Sequence, residues 1–363
     1  MNRRSLLASL SMLALPRAVA RDTAVVHDQV QKSRAIEFPR DYGAHPGFRT
    51  EWWYVTAWLE REGAAPCGFQ ITFFRSRTGH ADANPSRFAP KQLLFAHAAL
   101  ALPEKGRLIH EERSARTGPG GVRFSKADTD LAIGDWSFKR DARSGKYEAR
   151  IAGRELDIAI MFTPGGPPLL QGDRGYSQKG PRPEQASHYY SEPQLAVAGR
   201  ISAGSGAARR PWQASGRAWL DHEWSSTLLD ERASGWDWIG INFDDGGSLM
   251  AFRIRTPDGG VLWSHGARRD AQGRLVKGGD EVRWKELRNW VSPRSQARYP
   301  IGFEVAIGAQ VLTLQALMDD QEIDARMSTG GFYWEGAVKA SVGPRQVGRG
   351  YLELTGYAGK LKL

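Results

Sequence analysis

Bulky and polar positions alternate with a period of two through most of the chain. Trp53, Val55, Ala57 and Leu59 interleave with Trp52, Tyr54, Thr56 and Trp58, and Phe69, Ile71 and Phe73 with Gln70, Thr72 and Phe74. Leu94, Ala96, Ala98 and Leu100 interleave with Phe95, His97 and Ala99, and Asp237, Ile239, Ile241 and Phe243 with Trp236, Trp238, Gly240 and Asn242. Period-two spacing rich in aromatic and β-branched residues is the strand signature. Turn chemistry separates the runs, as at Pro164-Gly165-Gly166 and Asp244-Asp245-Gly246-Gly247. Many short strands joined by regular turns predict an all-β protein of sandwiches or barrels. Bulky residues on both faces of a strand suit barrels whose outer walls pack together and whose interiors hold something apolar. With 41 glycines and 19 prolines, only short helices are expected, around residues 90–92 and 280–287. Ser202-Ala203-Gly204-Ser205-Gly206 reads as a hairpin loop between strands at 195–198 and 212–220.

Landmarks of the first half recur in the second. Trp52 and Arg75 bracket one strand pair, and Trp236 and Arg255 bracket another that is four residues shorter. Gly216-Arg217-Ala218-Trp219-Leu220-Asp221 likewise matches Gly348-Arg349-Gly350-Tyr351-Leu352-Glu353. Two matches in the same order predict an internal duplication, with one β module over residues 30–228 and a second over 229–363.

Composition narrows the setting. Arg3-Arg4, the apolar run from Leu6 to Leu15 and Ala18-Val19-Ala20 read as a secretory signal over residues 1–20. The run is too short to span a bilayer. The twin arginines fit export of a folded protein, with ordinary Sec export as the alternative, so the expected location is periplasmic or secreted. A single cysteine, Cys67, excludes an internal disulfide, and stability must come from burial. The formal charge of +10 is scattered among acids. It forms no basic stripe and speaks against nucleic acid. Membrane association is expected to be peripheral at most.

Three groups of residues stand out as candidate chemistry. Asp221-His222-Glu223 is flanked by Trp219 and Trp224, with Asp221 and Glu223 on one face and His222 and Trp224 on the other. Asp221 has an acidic counterpart in Glu353, whereas His222 and Trp224 have none. The duplication therefore makes Asp221 architectural and assigns His222 and Trp224 to a site. Glu51-Trp52-Trp53-Tyr54 offers aromatic area for a lipid-sized pocket. His97, Tyr190, Trp236, Trp238 and Trp334 complete the ligand-binding candidates. Each of these positions also has a plain structural reading as core. There is no zinc-binding helix motif, no Cys pair and no Gly-x-Ser-x-Gly elbow, so neither a metal nor another cofactor is expected.

His45-Pro46-Gly47, Glu51-Trp52-Trp53-Tyr54, Gln70 to Arg75, Tyr189-Tyr190-Ser191, Asp221-His222-Glu223-Trp224, Trp236-Asp237-Trp238 and Tyr333-Trp334-Glu335-Gly336 together resemble the AttH-like secreted proteins. That group is related to carotenoid hydratase (hydroxyneurosporene synthase) and is often labelled "predicted secreted hydrolase". The resemblance spans about residues 35–360. It implies two lipocalin-like modules, a hydrophobic or amphipathic ligand of lipid or isoprenoid type, and partnership with an ABC-type export system. The related hydratases protonate a double bond with an acid near a His-x-Trp motif, and they carry a Tyr and an Asp on the next strand. Here that strand reads Leu249-Met250-Ala251-Phe252, which leaves Asp221, Glu223 or Asp237 as proton donor and His222 as base or water positioner. Three functions remain open: a ligand carrier, an acid-dependent hydratase or hydrolase, and an envelope adaptor without a cavity.

Overall fold

The computed structural model describes residues 25–86, 88–118, 121–205, 209–276 and 282–360. The segment read as a signal peptide lies outside them. Two antiparallel sheets account for the body of the protein. The first opens with hairpins β1 (Thr50–Arg61), β2 (Ala64–Arg77), β3 (Gln92–Ala101) and β4 (Leu108–Arg116). A meander follows through β5 (Val122–Phe124), β6 (Asp130–Ile133), β7 (Trp136–Arg140), β8 (Tyr147–Ala152) and β9 (Leu156–Thr163). Two short strands, β10 (Leu169–Leu170) and β11 (Tyr176–Gln178), precede the long hairpin β12 (Ala186–Ala203) and β13 (Trp212–Thr227). The spatial order is β4-β3-β2-β1-β13-β12-β9-β8-β7-β6-β5. β4 bends back on the meander, where Arg113 donates to the Ala152 carbonyl at 2.8 Å and Glu111 accepts the Leu156 N–H at 3.0 Å. The sheet is thereby nearly closed into a barrel.

The second sheet repeats the plan with fewer strands. Its opening strands are β14 (Gly235–Phe243), β15 (Ser248–Arg255), β16 (Val261–Arg269) and β17 (Leu275–Val276). Then come β18 (Val282–Val291), β19 (Arg298–Ile307), β20 (Gln310–Ala316), β21 (Glu322–Ala325), β22 (Gly331–Val342) and β23 (Arg345–Leu354). Its order is β17-β16-β15-β14-β23-β22-β20-β19-β18. The registers coincide with the sequence repeat. Glu51 faces Arg75 as Gly235 faces Arg255, and Tyr54 faces Asp221 as Trp238 faces Glu353.

Helix formation is confined, among the described residues, to two 3-10 turns, Arg40–Tyr42 and Pro103–Lys105. The helices expected around 90–92 and 280–287 are absent from the described part of those segments. Gln92 opens β3, and Val282 to Leu287 lie in β18, where pairing with β19 overrides local helix propensity. The hairpin joining 195–198 to 212–220 is present, with Leu195 opposite Ala218 and Ile201 opposite Trp212.

Bulk on both faces of a strand has the cause read from the sequence. Trp53, Val55, Ala57 and Leu59 point into the core of the first sheet, while Tyr54 and Trp58 point out against the second. By contrast β9, far from the junction, alternates buried and exposed positions along its length. The sheets are clamped by Trp58 Nε1 donating to Gly350 O at 2.9 Å and by Asn242 Nδ2 donating to Ala218 O at 3.0 Å. At Gly68 the sheets come close enough to exclude a side chain. A Cβ there would lie 2.6 Å from Tyr351 Oη and 2.8 Å from the Ala337 Cβ. Gly68→Val is therefore expected to cost about 1–3 kcal/mol by overpacking, read as a lower urea midpoint. An unchanged midpoint would mean that the sheets part there without penalty.

Candidate active site between the two sheets

Strand alternation sends two acids of the first sheet and two of the second into the same buried junction. Asp221 and Glu223 on β13 face Glu335 on β22 and Glu353 on β23; the first three are at most 5% exposed, and Glu353 is half-buried. Asp221 is fully engaged: Tyr189 Oη donates to Oδ2 at 2.7 Å, and Trp219 Nε1 and Ser191 Oγ donate to Oδ1. Glu335 and Glu353 are direct partners across β22 and β23. Trp236 Nε1 holds one oxygen of Glu353 at 2.9 Å. The Tyr54 and Tyr333 hydroxyls lie against the Glu335 carboxyl, yet Tyr54 Oη and Glu335 Oε1 lack a well-aligned hydrogen bond. Both atoms are buried, so the site holds polar capacity that the protein itself leaves unspent.

Lys179 brings a cation to this group of acids. Lys179 Nζ sits 3.0 Å from Glu223 Oε1 and over the rings of Tyr189 and Phe252. Burial lowers its own pKa, an effect that the two acids oppose. Desolvation then decides the protonation of the others. Burial pushes Asp221 up to about 7 against its three hydrogen bonds, with the Glu223 charge adding to the rise. It also raises Glu353 to about 7. Glu335 is driven well above the carboxylate range by burial and then by Glu353. Burial and the neighbouring Glu353 charge thus hold the Glu335 carboxyl toward its neutral form. The walls are aromatic: Tyr54 meets Trp238 edge-on at 5.4 Å, and Trp238 Nε1 donates to Tyr189 Oη at 3.1 Å. A 520 Å³ cleft opens along the junction, lined by Trp58, Trp219, Asn242 and Tyr351 among others; the four acids are not part of its lining. Its volume suits a small ligand.

The candidates read from the sequence divide between the faces of the sheets. Asp221, Trp52, Tyr54, Trp236 and Trp238 belong to the junction. His97 lies at its far end, bonded to Tyr333. Glu51, Trp53, Tyr190, His222 and Trp224 point into the first barrel instead, where the segment from Ile36 to Phe48 plugs its end. There Glu51 Oε1 accepts from His45 N, His45 Nδ1 and His222 Nε2, and Arg75 Nε donates to Glu51 Oε2 at 2.8 Å. Trp224 stacks on His45 at 3.7 Å, and Trp53 on His222 at 4.5 Å. Burial opposes the Glu51 charge, but Arg75, His222 and His45 together hold the carboxyl well below its ordinary range. Burial lowers His222 to about 4. His45, Glu51 and His222 offer ligand atoms within 4.8 Å of one another, a set able to hold a cation. In this arrangement ring and backbone N–H groups already occupy those lone pairs.

The structure does not bring Asp237 to Asp221. Asp237 points into the second barrel, taking Arg253 Nε at 2.6 Å and Arg255 Nε at 2.8 Å. Trp334 is also inside that barrel, bonded to Asp319 O. The duplication had made Asp221 architectural and His222 the site residue. Geometry places Asp221 among the strained acids and His222 in a saturated ion-pair plug. Glu335, Glu353, Lys179, Tyr189 and Tyr333 are not among the candidates read from the sequence, whereas Glu223 is, as a candidate proton donor. Alternation was the available signal: with Trp334 inward, Glu335 must face outward, where β1 carries Tyr54.

A nearly closed barrel-like sheet joined to a second, shorter one defines a double lipocalin-like β protein. The chain belongs to the AttH-like family, whose model matches residues 29–357. It is similar to a candidate AttH from Nitrosomonas europaea, with 46% identity, 91% of this chain and 99% of that one covered, and a TM-score of 0.83. Kievitone hydratase from Nectria haematococca shares the fold at 13% identity, with 91% and 96% covered and a TM-score of 0.65. CghA in complex with Sch210972 does so at 13% identity, with 84% and 88% covered and a TM-score of 0.55. Among curated proteins none matches.

Proposed function

We propose that the protein is an exported acid catalyst of the hydratase type, acting on an apolar or amphipathic small molecule at the junction of its two sheets. The observation that carries this reading is the cross-strand carboxyl pair Glu335–Glu353, with Glu335 buried and the pair walled by aromatic rings. An acid held neutral at working pH is what protonation of a double bond requires. Glu335 adds its proton to one carbon of the double bond. A water oxygen bonds to the other carbon and yields a proton to the Glu353 carboxylate. Return of that proton from Glu353 to Glu335 restores the acid and base. Asp221, Tyr54 and Tyr189 orient the water and the polar end of the substrate. The hydratase fold relatives support this class of chemistry, and the signal-like sequence of residues 1–20 supports a location in the periplasm or outside the cell. Supply or removal of the lipophile by an ABC-type export system fits that location.

The purified exported protein, incubated with unsaturated lipids and isoprenoids in isotope-labelled water, should return a product that has gained one labelled water. Glu335→Gln is expected to lower turnover by about 10²–10⁴-fold while bound lipophile, read by native mass spectrometry, persists. Wild-type turnover in Glu335→Gln rules out this acid. The cleft lined by Trp58 and Trp219 favours a second reading, a carrier for the same ligand class. Retained lipophile with no labelled product from any substrate selects the carrier.

A further inference from the structure

Glu335 is sealed between the sheets, yet a line of polar groups leads from it to open solvent. Tyr333 lies two residues away on the same face of β22, with its hydroxyl against the Glu335 carboxyl. From there Tyr333 Oη is 2.7 Å from His97 Nδ1, and His97 Nε2 is 2.8 Å from Ser328 Oγ. Ser328 Oγ in turn donates to Glu112 Oε2. Glu112 lies beside His97 across β3 and β4 and lines an 840 Å³ surface groove with His110, Arg113, Asp324 and Arg326. We propose that Tyr333, His97 and Ser328 form a proton relay that connects the buried Glu335–Glu353 pair to this groove. The relay rests on the acid reading of that pair given above.

The donor directions along the line are mutually consistent. Ser328 spends its one hydroxyl hydrogen on Glu112, so it accepts from His97 Nε2–H. A singly protonated His97 then accepts at Nδ1 from the Tyr333 hydroxyl. Tyr333 Oη is left as an acceptor facing Glu335, which suits a carboxyl that carries its proton. Burial, reinforced by His110, lowers His97 to about 3, so the ring passes protons as a neutral imidazole rather than storing one. From this arrangement a hop outward takes a proton from Glu335 to Tyr333 Oη, from Tyr333 to His97 Nδ1, from His97 Nε2 to Ser328 Oγ, and from Ser328 to Glu112; the reverse sequence, starting from the Nδ1–H ring that this leaves, brings one in. Every relay group loses one proton and gains one. The groove lies on the far side of His97 from the aromatic walls, so a lipophile that covers the acids leaves the line open. His97 is at the centre of this line and only 1% exposed; Ser328 is in a part-exposed turn.

Infrared spectroscopy of the full-length exported protein tests the relay without a substrate. The difference spectrum between wild type and Glu335→Gln should isolate one protonated-carboxyl band, apart from those of Asp221 and Glu353. After transfer to heavy water, deuteration of that band should slow at least roughly tenfold in Ser328→Ala and His97→Phe, because exchange must then wait for local opening of the sheets. Ser328→Thr keeps the hydroxyl and should exchange at the wild-type rate. Wild-type exchange in Ser328→Ala overturns the relay, whatever His97→Phe does to folding. A difference spectrum that lacks this band overturns the acid reading and the relay together, so the two failures are told apart.

Discussion

Glu51→Ala is expected to destabilise the protein by about 3–5 kcal/mol, the usual cost of leaving one partner of a buried ion pair alone. The carboxylate is fully buried, and it is where Arg75, His222, His45 and the His45 backbone N–H all end. Removing it strands a guanidinium and an imidazole that have no route to water. Arg75 also donates to His45 O and Phe48 O, so the plug that closes the barrel should loosen with it. For a module of this size the loss corresponds to roughly 10 °C in melting temperature. Glu51→Gln keeps two acceptor lone pairs and should fall between the variant and the wild type. Calorimetry checks the order. A loss below about 1 kcal/mol, typical of a surface change, would mean that the network is not what holds the barrel end. The sign with pH follows from the direction of the shift. Glu51 titrates below its unfolded value, so its contribution is present above the ordinary carboxylate range and is lost as pH falls.

The junction should behave in the opposite way. Asp221 binds its proton more tightly in the folded state than in the unfolded chain, with a folded value near 7 against an ordinary 3.8. Between those values the folded state holds more protons, so stability falls as pH rises, by up to about 1.4 kcal/mol per pH unit from this residue. Glu353 adds to the same trend. Asp221→Asn removes one contributor at nearly constant shape. Urea midpoints at pH 4.5, 6 and 7.5 should show the variant gaining on the wild type as pH rises, by at most roughly 4 kcal/mol across the window. Parallel profiles would show Asp221 to be an ordinary ionised acid and would remove it from the strained cluster. The same self-repulsion explains why the cluster persists only at a junction with another role, since replacing such groups by apolar ones of equal volume usually stabilises.

Much of this was legible in the order of residues. The period-two runs located the strands, and the repeat of Trp52 and Arg75 as Trp236 and Arg255 anticipated a register that the two sheets share. Bulk on both faces of β1 announced that a second layer would cover the outside of the barrel. Face assignment is local: once a strand is recognised, Trp53 and Tyr54 must part, and so must Asp221 and His222. What pairs across space is not local. Asp221 lies far along the chain from Glu335 and Glu353, and only the packing of one sheet's outer wall on the other's makes them neighbours.

The same physics explains why the imidazole drew attention and the acids less. A histidine between tryptophans stands out in a sequence, but whether its nitrogens are free depends on partners such as Glu51 and Tyr190 that arrive from other strands. A glutamate after a tryptophan looks ordinary until its solvent is taken away. The amino-acid sequence by itself determined two β modules, their matching registers and which face each side chain takes, because alternation and turn chemistry act over a few residues. The tertiary structure alone decided that the outward faces meet, and hence that ordinary carboxylates become desolvated acids held toward their protonated forms, because desolvation is a property of the assembled layers.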